Sequence, residues 1–255
     1  MKASQFIKNI WPPIVAVLLF IIAWELATDF FQIEKWILPS PTDIMKEART
    51  GAFSLWQHTQ ATLELMLIGF GIGTAFGLLV AFLLDYVPFL KASVYPLIIL
   101  SQNIPSIALA PLLMIWFGFG ILPKIIIITL VCFFPVTVAA LDGLHRTDPI
   151  MLNYMKMIGA SKADIFRKLK IPFALPTIFS GIKIAATYSV MGAVVAEWIG
   201  ANKGIGYYLL LQKSSFRTDR IFVGICIIVL ISLAMFALIS LLEKWMIRYK
   251  PQEHK

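Results

Sequence analysis

Five polar side chains that could hydrogen-bond a solute lie inside two long apolar runs of the sequence, 94–117 and 177–199. They are Gln102, Asn103, Ser106, Tyr188 and Ser189. A polar group within hydrocarbon costs free energy unless it faces protein or water. Pro105 and Pro111 remove backbone donors from the first run, so we expect its helix to kink or break there. Irregular backbone at membrane depth is tolerated only against protein or a water-filled cavity. The five residues are therefore candidates for a polar path.

Signatures of catalysis and of nucleotide binding are missing from the sequence. No glycine is followed by lysine, so no Gly-x-x-x-x-Gly-Lys-Ser/Thr phosphate loop occurs. The histidines, His58, His145 and His254, are widely separated and are interpreted as solvated. Cys132 and Cys226 lie in apolar runs, where packing is their predicted role. The sequence therefore predicts neither an enzyme nor a metal centre.

The segment YMKMIGASKADIFRKLKIPFALP, residues 154–176, separates two apolar runs and carries five Lys or Arg residues. The Thr-Asp-Pro sequence before it favours a helix start, with Asp148 as the N-cap and Pro149 at the first helical position. Gly159 is predicted to stop this helix. The spacing thus predicts a short helix ahead of a Gly-Ala-Ser break.

A second short helix is predicted to begin after Ser161, with Asp164 in the capping-box position and Pro172 forcing its end. Three apolar residues share one face of it: Ile165, Phe166 and Leu169. The opposite side carries Lys162, Arg167, Lys168 and Lys170. An apolar ridge with a basic flank indicates either a helix on anionic headgroups or one that docks on another protein.

Composition places these segments in a membrane protein, because 59% of the residues are hydrophobic and only 14% are charged. Six apolar runs each reach about the 20 residues that a helix needs to cross hydrocarbon. They are 11–31, 61–84, 94–117, 122–141, 177–199 and 221–242. The predicted fold class is an all-α polytopic membrane protein with six transmembrane helices.

The distribution of the 22 Lys and Arg residues predicts the orientation. Six spans put both termini on one side, and thirteen basic residues fall on that side against eight on the other. Basic loops favour the cytoplasm, so both termini are predicted to be cytoplasmic. The net charge of +8 is explained by these loops, and no nucleic-acid partner is predicted.

The second apolar run contains glycines at every fourth position, Gly69, Gly73 and Gly77. Residues four apart share one face of a helix, and small residues there let two backbones approach closely. We therefore predict helix packing for this face.

The Gly-x9-Leu-Lys-Ile-Pro spacing from Gly159 to Pro172 resembles the cytoplasmic EAA loop of ATP-binding-cassette importer permeases. Further segments resemble the branch of these permeases that serves nitrate, taurine, alkanesulfonates and thiamine-precursor pyrimidines. They are ILPSPTDI, IPSIALAPLLMIWFGFG, SGIKIAATYSVMGAVVAEWIG and GIGYYLLLQKSSFRTDRIF. The family's Glu-Ala-Ala triplet is replaced by Asn153, Tyr154 and Met155, so no role is given to its carboxylate.

The resemblance implies a type I importer permease fold with a coupling-helix loop on an ATPase subunit. It implies contact with that subunit for Gly159, Ala160, Ser161, Asp164, Ile165, Phe166, Leu169 and Pro172. The chain would divide into an anchor with an external amphipathic segment (1–58), a permease core of five spans (59–243) and a basic cytoplasmic tail (244–255).

The implied assembly lies in a bacterial cell membrane. It pairs two permeases, expected to be identical copies, with two ATPase subunits, and an extracytoplasmic binding protein delivers the solute. ATP and Mg²⁺ belong to the ATPase, and this chain binds no cofactor. The best expectation for the solute is a thiamine-precursor pyrimidine resembling hydroxymethylpyrimidine, and a sulfonate, taurine or nitrate is the alternative.

The alternative class is a transporter or channel driven by an ion gradient, which would need carboxylates near mid-membrane. Glu25 is the carboxylate found well inside a predicted span, and it lies in the additional first helix. Lys183 either snorkels to the interface or contacts the solute, and Glu197 either pairs with a base such as Lys203 or contacts the solute. The pattern favours the ATP-coupled class.

Overall fold

The computed structural model describes residues 2–247, with side chains from residue 11 onward. The described residues form eleven α-helices and one π-helical segment, and no strand occurs among them. In chain order these are α1 (Lys2–Phe30), α2 (Pro41–Thr50), α3 (Ala52–Tyr86), α4 (Pro88–Ser101), α5 (Ser106–Phe117), α6 (Ile121–His145), α7 (Pro149–Met157), α8 (Lys162–Ile165), the π segment (Phe166–Lys170), α9 (Ile171–Trp198), α10 (Ile205–Ser214) and α11 (Thr218–Met246). His254 and the predicted tail beyond Ile247 lie outside these residues.

Five of these elements are long and apolar enough to cross a membrane: α1 from Trp11, α3, α6, the continuous helix from α8 to α9, and α11. A sixth crossing is supplied by α4 and α5 together, which pass the same test as a pair. The all-α polytopic fold with six crossings is thus confirmed, counting the pair as one.

The third predicted span, 94–117, is not one straight helix, because α4 and α5 are bent by 99° at the break between them. Pro105 has extended backbone (φ −61°, ψ 122°) and disfavours helical backbone in the residue before it. The break expected there is confirmed. Pro111 lies inside α5 and does not interrupt it, contrary to expectation. Its neighbours Ala110 and Leu113 are buried in a cluster with residues of α6 and α9. This packing stabilises α5 where Pro111 lacks the N–H for a backbone hydrogen bond.

The centre of the molecule is α6, which packs along both α3 and α9, with α11 against the far side of α9. Fully buried side chains from three helices meet there, including Met66, Ile128, Val136 and Val190. Both α5, which carries Ser106, and α9, which carries Tyr188 and Ser189, therefore pack on this central helix, and Gln102 and Asn103 lie in the break before α5.

The glycine face of α3 is pressed against α6. A methyl group built on Gly69 would lie 2.6 Å from the Ile128 side chain, and one on Gly73 would lie 2.8 Å from the Thr129 carbonyl oxygen. At Gly77 the nearest atom would be the Phe133 carbonyl oxygen, at 3.0 Å. These positions leave no room for a side chain, so the backbones of α3 and α6 are in close contact.

Replacing Gly73 by alanine is therefore expected to destabilise the permease by about 1–3 kcal/mol, the usual cost of overpacking. The matched control is Gly71→Ala in the same helix, where an added methyl group meets nothing within 4 Å. Because alanine favours helix by up to about 1 kcal/mol, Gly71→Ala should be neutral or stabilising. Thermal unfolding of the two detergent-solubilised variants checks this. Equal melting temperatures would show that α3 and α6 separate easily.

Candidate functional site

A cavity of about 810 Å³ lies beside the break between α4 and α5, with walls from α5, α6 and α9. Three of the five candidate polar residues line it, namely Gln102, Ser106 and Tyr188. Tyr188 is half exposed on the described surface. The bend at Pro105 thus places the start of α5 opposite the middle of α9, and polar groups from both helices face one space.

The other two candidates lie elsewhere. Asn103 donates its Nδ2 hydrogens to the carbonyl oxygens of Ile99 and Leu100, at 3.2 and 3.3 Å, and so completes the end of α4. Ser189 is fully buried and donates to the Ala186 carbonyl oxygen at 2.7 Å. Successive residues of a helix point about 100° apart, so Ser189 cannot share the face of its neighbour. Neither residue lines the cavity.

The cavity lining is mostly apolar and carries one charged residue among those described, Asp142. Arg146, one turn further along, forms an ion pair with it at 3.4 Å. The remaining polar lining groups are neutral hydroxyls and one amide, and they include Ser101, Thr177 and Ser180. This lining can hydrogen-bond a neutral solute and stack on Tyr188, whereas it offers no cation to an anion.

The loop that follows α6 begins as the sequence predicts. Asp148 caps α7, accepting a hydrogen bond from the Ile150 N–H at 2.8 Å, and Pro149 is the first helical residue. The helix ends at Met157, and Gly159 adopts the left-handed conformation (φ +79°) typical of glycine after a helix. A methyl group on Gly159 would meet nothing within 4 Å, so this turn faces open space.

Ser161 caps α8 by accepting a hydrogen bond from the Asp164 N–H at 3.1 Å, and its own hydroxyl donates to the Asp164 carboxylate at 2.5 Å. Lys168 pairs with the same carboxylate at 2.7 Å. Ala160 bridges the two helices, with its N–H donating to the Met155 carbonyl oxygen. The predicted Gly-Ala-Ser break and serine cap are both present.

The prediction that Pro172 ends the second helix is wrong, since the chain is helical without interruption from Lys162 to Trp198. The π segment directly before Pro172 widens the turn, and the Ile171 N–H donates to the Phe166 carbonyl oxygen five residues back. Because the turn is wide and Pro172 is the second residue of α9, its ring does not clash as it would inside a regular helix.

The apolar ridge of the second helix packs against the permease itself. Ile165 is buried, and the Phe166 ring meets the Phe82 ring edge-on with centroids 5.5 Å apart. Leu169 is half-buried. Lys170 adds an ion pair to this contact, with its Nζ 3.0 and 2.9 Å from the two carboxylate oxygens of Asp85 at the end of α3. The ridge therefore contacts the permease itself, at the end of α3.

An exposed apolar stripe lies on the first helix of the loop and was missed by the sequence analysis. It consists of Ile150, Met151, Tyr154, Met157 and Ile158, each more than half exposed. We call these five residues the α7 stripe. Their spacing of i, i+1, i+4, i+7 and i+8 is that of one helical face, a signal present in the sequence. The stripe and Gly159 form one continuous unpartnered surface on the described chain.

The first half of α3 and the end of α9 are joined to α10 through Glu197, whose side chain is only 2% exposed. Its carboxylate accepts hydrogen bonds from the Thr62 hydroxyl at 2.8 Å and from the Gly206 N–H at 2.7 Å. The Ile205 N–H donates to the Thr62 oxygen at 2.7 Å. Glu197 therefore caps α10 from another helix, and the expected pairing with Lys203 is wrong.

His58 takes part in the same junction, accepting a hydrogen bond from the Gly204 N–H at 3.2 Å. It also stacks near Tyr207 and Tyr208. The interpretation of His58 as a solvated residue is therefore wrong. The histidine and its partner are 146 residues apart in the chain, and no local pattern predicts their contact.

Two charged groups inside the spans have partners within the chain. Lys183 forms an ion pair with Glu243 on α11 at 2.9 Å. The Glu25 carboxylate accepts hydrogen bonds from the Thr42 hydroxyl and N–H, at 2.7 and 3.0 Å. These groups tie helices together and do not line the cavity.

Comparison with known proteins places this architecture in a family context. Residues 73–248 match the family model described as the binding-protein-dependent transport system inner membrane component. A probable ABC transporter permease protein of Haemophilus influenzae is 38% identical over 88% of this chain and 90% of its own length. The formylaminopyrimidine transport permease protein ThiX of Halalkalibacterium halodurans is 34% identical over 94% of this chain and 96% of its own length.

Relatives at 26–31% identity bear the names of riboflavin, aliphatic sulfonate and taurine transport permeases. Among solved structures, an amino acid ABC transporter has a TM-score of 0.62 at 18% identity, covering 79% of this chain and 96% of that one. This likeness concerns the fold alone.

Proposed function

This chain belongs to the family of binding-protein-dependent transport system inner membrane components and is a multi-pass permease of an ABC importer; within that function we propose that the cavity beside the α4–α5 break is part of the solute path. The observation that carries the proposal is the convergence of Gln102, Ser106 and Tyr188 on one space beside a broken span. Broken helices at membrane depth expose backbone and side-chain polar groups to a solute or to water.

The α7 stripe and the Gly159 turn are proposed as the surface that couples the permease to its ATPase. The stripe is apolar and exposed, and it lies on the same loop as Gly159, where no side chain covers the backbone. An amphipathic helix that lays an apolar face into a groove is a common mode of protein recognition. The other coupling candidates, from Ser161 to Pro172, then act by fixing this surface to the spans.

Family membership implies an ATPase and a solute-binding protein as partners. We further propose two ATPase copies and a second, identical permease copy, with ATP and Mg²⁺ held by the ATPase. The missing phosphate loop in this chain supports a separate subunit for nucleotide. Both termini are proposed to be cytoplasmic, which puts the α7 stripe on the side where ATP is available.

The proposed solute is a neutral heteroaromatic compound of the thiamine-precursor pyrimidine type. The described cavity lining contains no Lys or Arg, and its one carboxylate, Asp142, is paired with Arg146 outside the lining, so a sulfonate or nitrate would find no cation among the lining residues. A pyrimidine can stack on Tyr188 and hydrogen-bond to Gln102 or Ser180. The permease ThiX, similar over nearly the whole chain, supports this choice.

Cysteine accessibility tests the solute path. After replacement of Cys132 and Cys226, a cysteine at Gln102, Ser106 or Tyr188 is expected to react with a small polar thiol reagent. Its rate should change about tenfold or more when nucleotide is trapped on the ATPase, because the cavity opens to one side at a time. The matched control is Ser189→Cys, which is one residue from Tyr188 but buried. Unreactive cysteines at the three lining positions in every nucleotide state would contradict the proposed path.

A further inference from the structure

A second large cavity lies on the opposite side of the core from the proposed path. It has a volume of about 870 Å³, with walls from α1, α3 and α11 and a roof from α2. Its lining is almost wholly apolar and includes Trp24, Ile44, Ala48, Trp56, Cys226 and Leu230. We call this cavity the lateral groove. From Phe222 to Leu230 along α11 it reaches about 12 Å below α2.

The lateral groove opens sideways to the bilayer because α1 meets the rest of the chain only near one end. Trp24 packs on Phe222 with ring centroids 5.4 Å apart, and Thr28 is buried. All ten residues from 11 to 20 are exposed. Three of the four groove helices are membrane spans. Hydrocarbon chains therefore have direct access to the space beneath α2.

The rim of the groove carries free positive charge. On α2, Glu47 forms ion pairs with Arg217 at 2.9 Å and with Arg220 at 3.0 Å, and these pairs fix α2 on α11. Arg49 is exposed and has no ion pair with any residue that the structure describes. It lies one helical turn after the groove residue Met45, at the edge of the apolar face. Lys46 is also exposed, but it lies on the face of α2 turned away from the groove residues Ile44 and Ala48. One unpaired arginine thus stands at the edge of an apolar slot.

We propose that the lateral groove binds one anionic phospholipid, with an acyl chain beneath α2 and the phosphate at Arg49. A phospholipid matches both halves of the site, since its tail fills apolar space and its headgroup carries the opposite charge. Such a lipid would fill the gap between α1 and the core, where the side chains of α1 lack partner atoms. The site does not depend on the solute path.

Tryptophan fluorescence tests the proposal, because Trp24 and Trp56 line the groove. The other five tryptophans are replaced by Phe, since they are exposed as well and would report contact with bulk lipid. The purified full-length variant is placed in phosphatidylcholine nanodiscs and titrated with phosphatidylglycerol carrying brominated acyl chains, which quench nearby tryptophans. Saturable quenching is expected at a low mole fraction of the anionic lipid, and brominated phosphatidylcholine should require several-fold more. Arg49→Gln should weaken the phosphatidylglycerol effect by about fivefold, whereas Lys46→Gln, on the far face of α2, is the matched control and should leave it unchanged.

A blocking variant and its control separate groove binding from general lipid contact. Ala48→Phe fills the slot and should abolish the saturable phase, whereas Ala234→Phe, on an exposed face of α11, should leave it intact. Equal quenching by both lipids in every variant would overturn the proposal. Loss of quenching as the chain dimerises would also overturn it, by showing that a second copy covers the groove.

Discussion

Replacing Gly159 by glutamate is expected to abolish coupled transport while the permease remains folded in the membrane. The added side chain meets no atom of the chain itself, because a methyl group there has nothing within 4 Å. In the assembled transporter it would place an unpaired charge in the ATPase contact. Burying such a charge costs several kcal/mol, so affinity for the ATPase should fall roughly a hundredfold. The measurements are membrane abundance, ATPase co-purification and stimulation of ATP hydrolysis by loaded binding protein.

The backbone contribution is separated by a second variant, Gly159→Ala. The positive φ of residue 159 costs any L-residue about 1 kcal/mol, so alanine and glutamate share this penalty. Alanine adds neither charge nor length, and Gly159→Ala should keep most of the transport. Full ATPase stimulation in Gly159→Glu would instead show that the turn is only a spacer. The contact would then have to lie at the other connection on the side proposed to be cytoplasmic, between α3 and α4.

Features fixed by neighbouring residues were predictable from the sequence. The caps at Asp148 and Ser161 and the break at Pro105 each depend on a few adjacent residues, and all three are present. The close contact of α3 with α6 also follows from one helical period, because glycines four apart share a face. Periodicity could have found the α7 stripe as well.

Features that depend on distant contacts were not predictable. Glu197 and His58 take partners from other helices, up to 146 residues away in the chain, in place of nearby charges or water. Pro172 does not end the helix because a π-helical turn precedes it, and no residue type in the sequence predicts a π-helical turn. Tyr188 faces the cavity and Ser189 does not because of the rotation of α9, which packing on α6 decides.

Besides the continuous helix from Lys162 to Trp198, an ion pair joins the loop that follows α6 to the end of α3, namely Lys170 with Asp85. The Asp85 side chain is 7% exposed, and both its oxygens accept from Lys170. Lys170→Met is expected to leave that carboxylate buried without its cation. We expect a loss of about 2–3 kcal/mol in stability, in the range of hydrogen bonds to charged groups, and ATPase activity that no longer responds to loaded binding protein.

Lys168→Met is the matched control, since Lys168 lies two residues away and forms a solvent-exposed pair with Asp164 that contributes little to stability. Lys168→Met should therefore retain both stability and stimulated ATP hydrolysis. The double variant Asp85→Asn with Lys170→Met removes both charges, so it should regain most of the stability because no unpaired ion remains. If the double variant is stable but still uncoupled, the ion pair transmits the movement of the loop. If Lys170→Met alone keeps full stimulation, the Phe82–Phe166 packing carries the coupling without it.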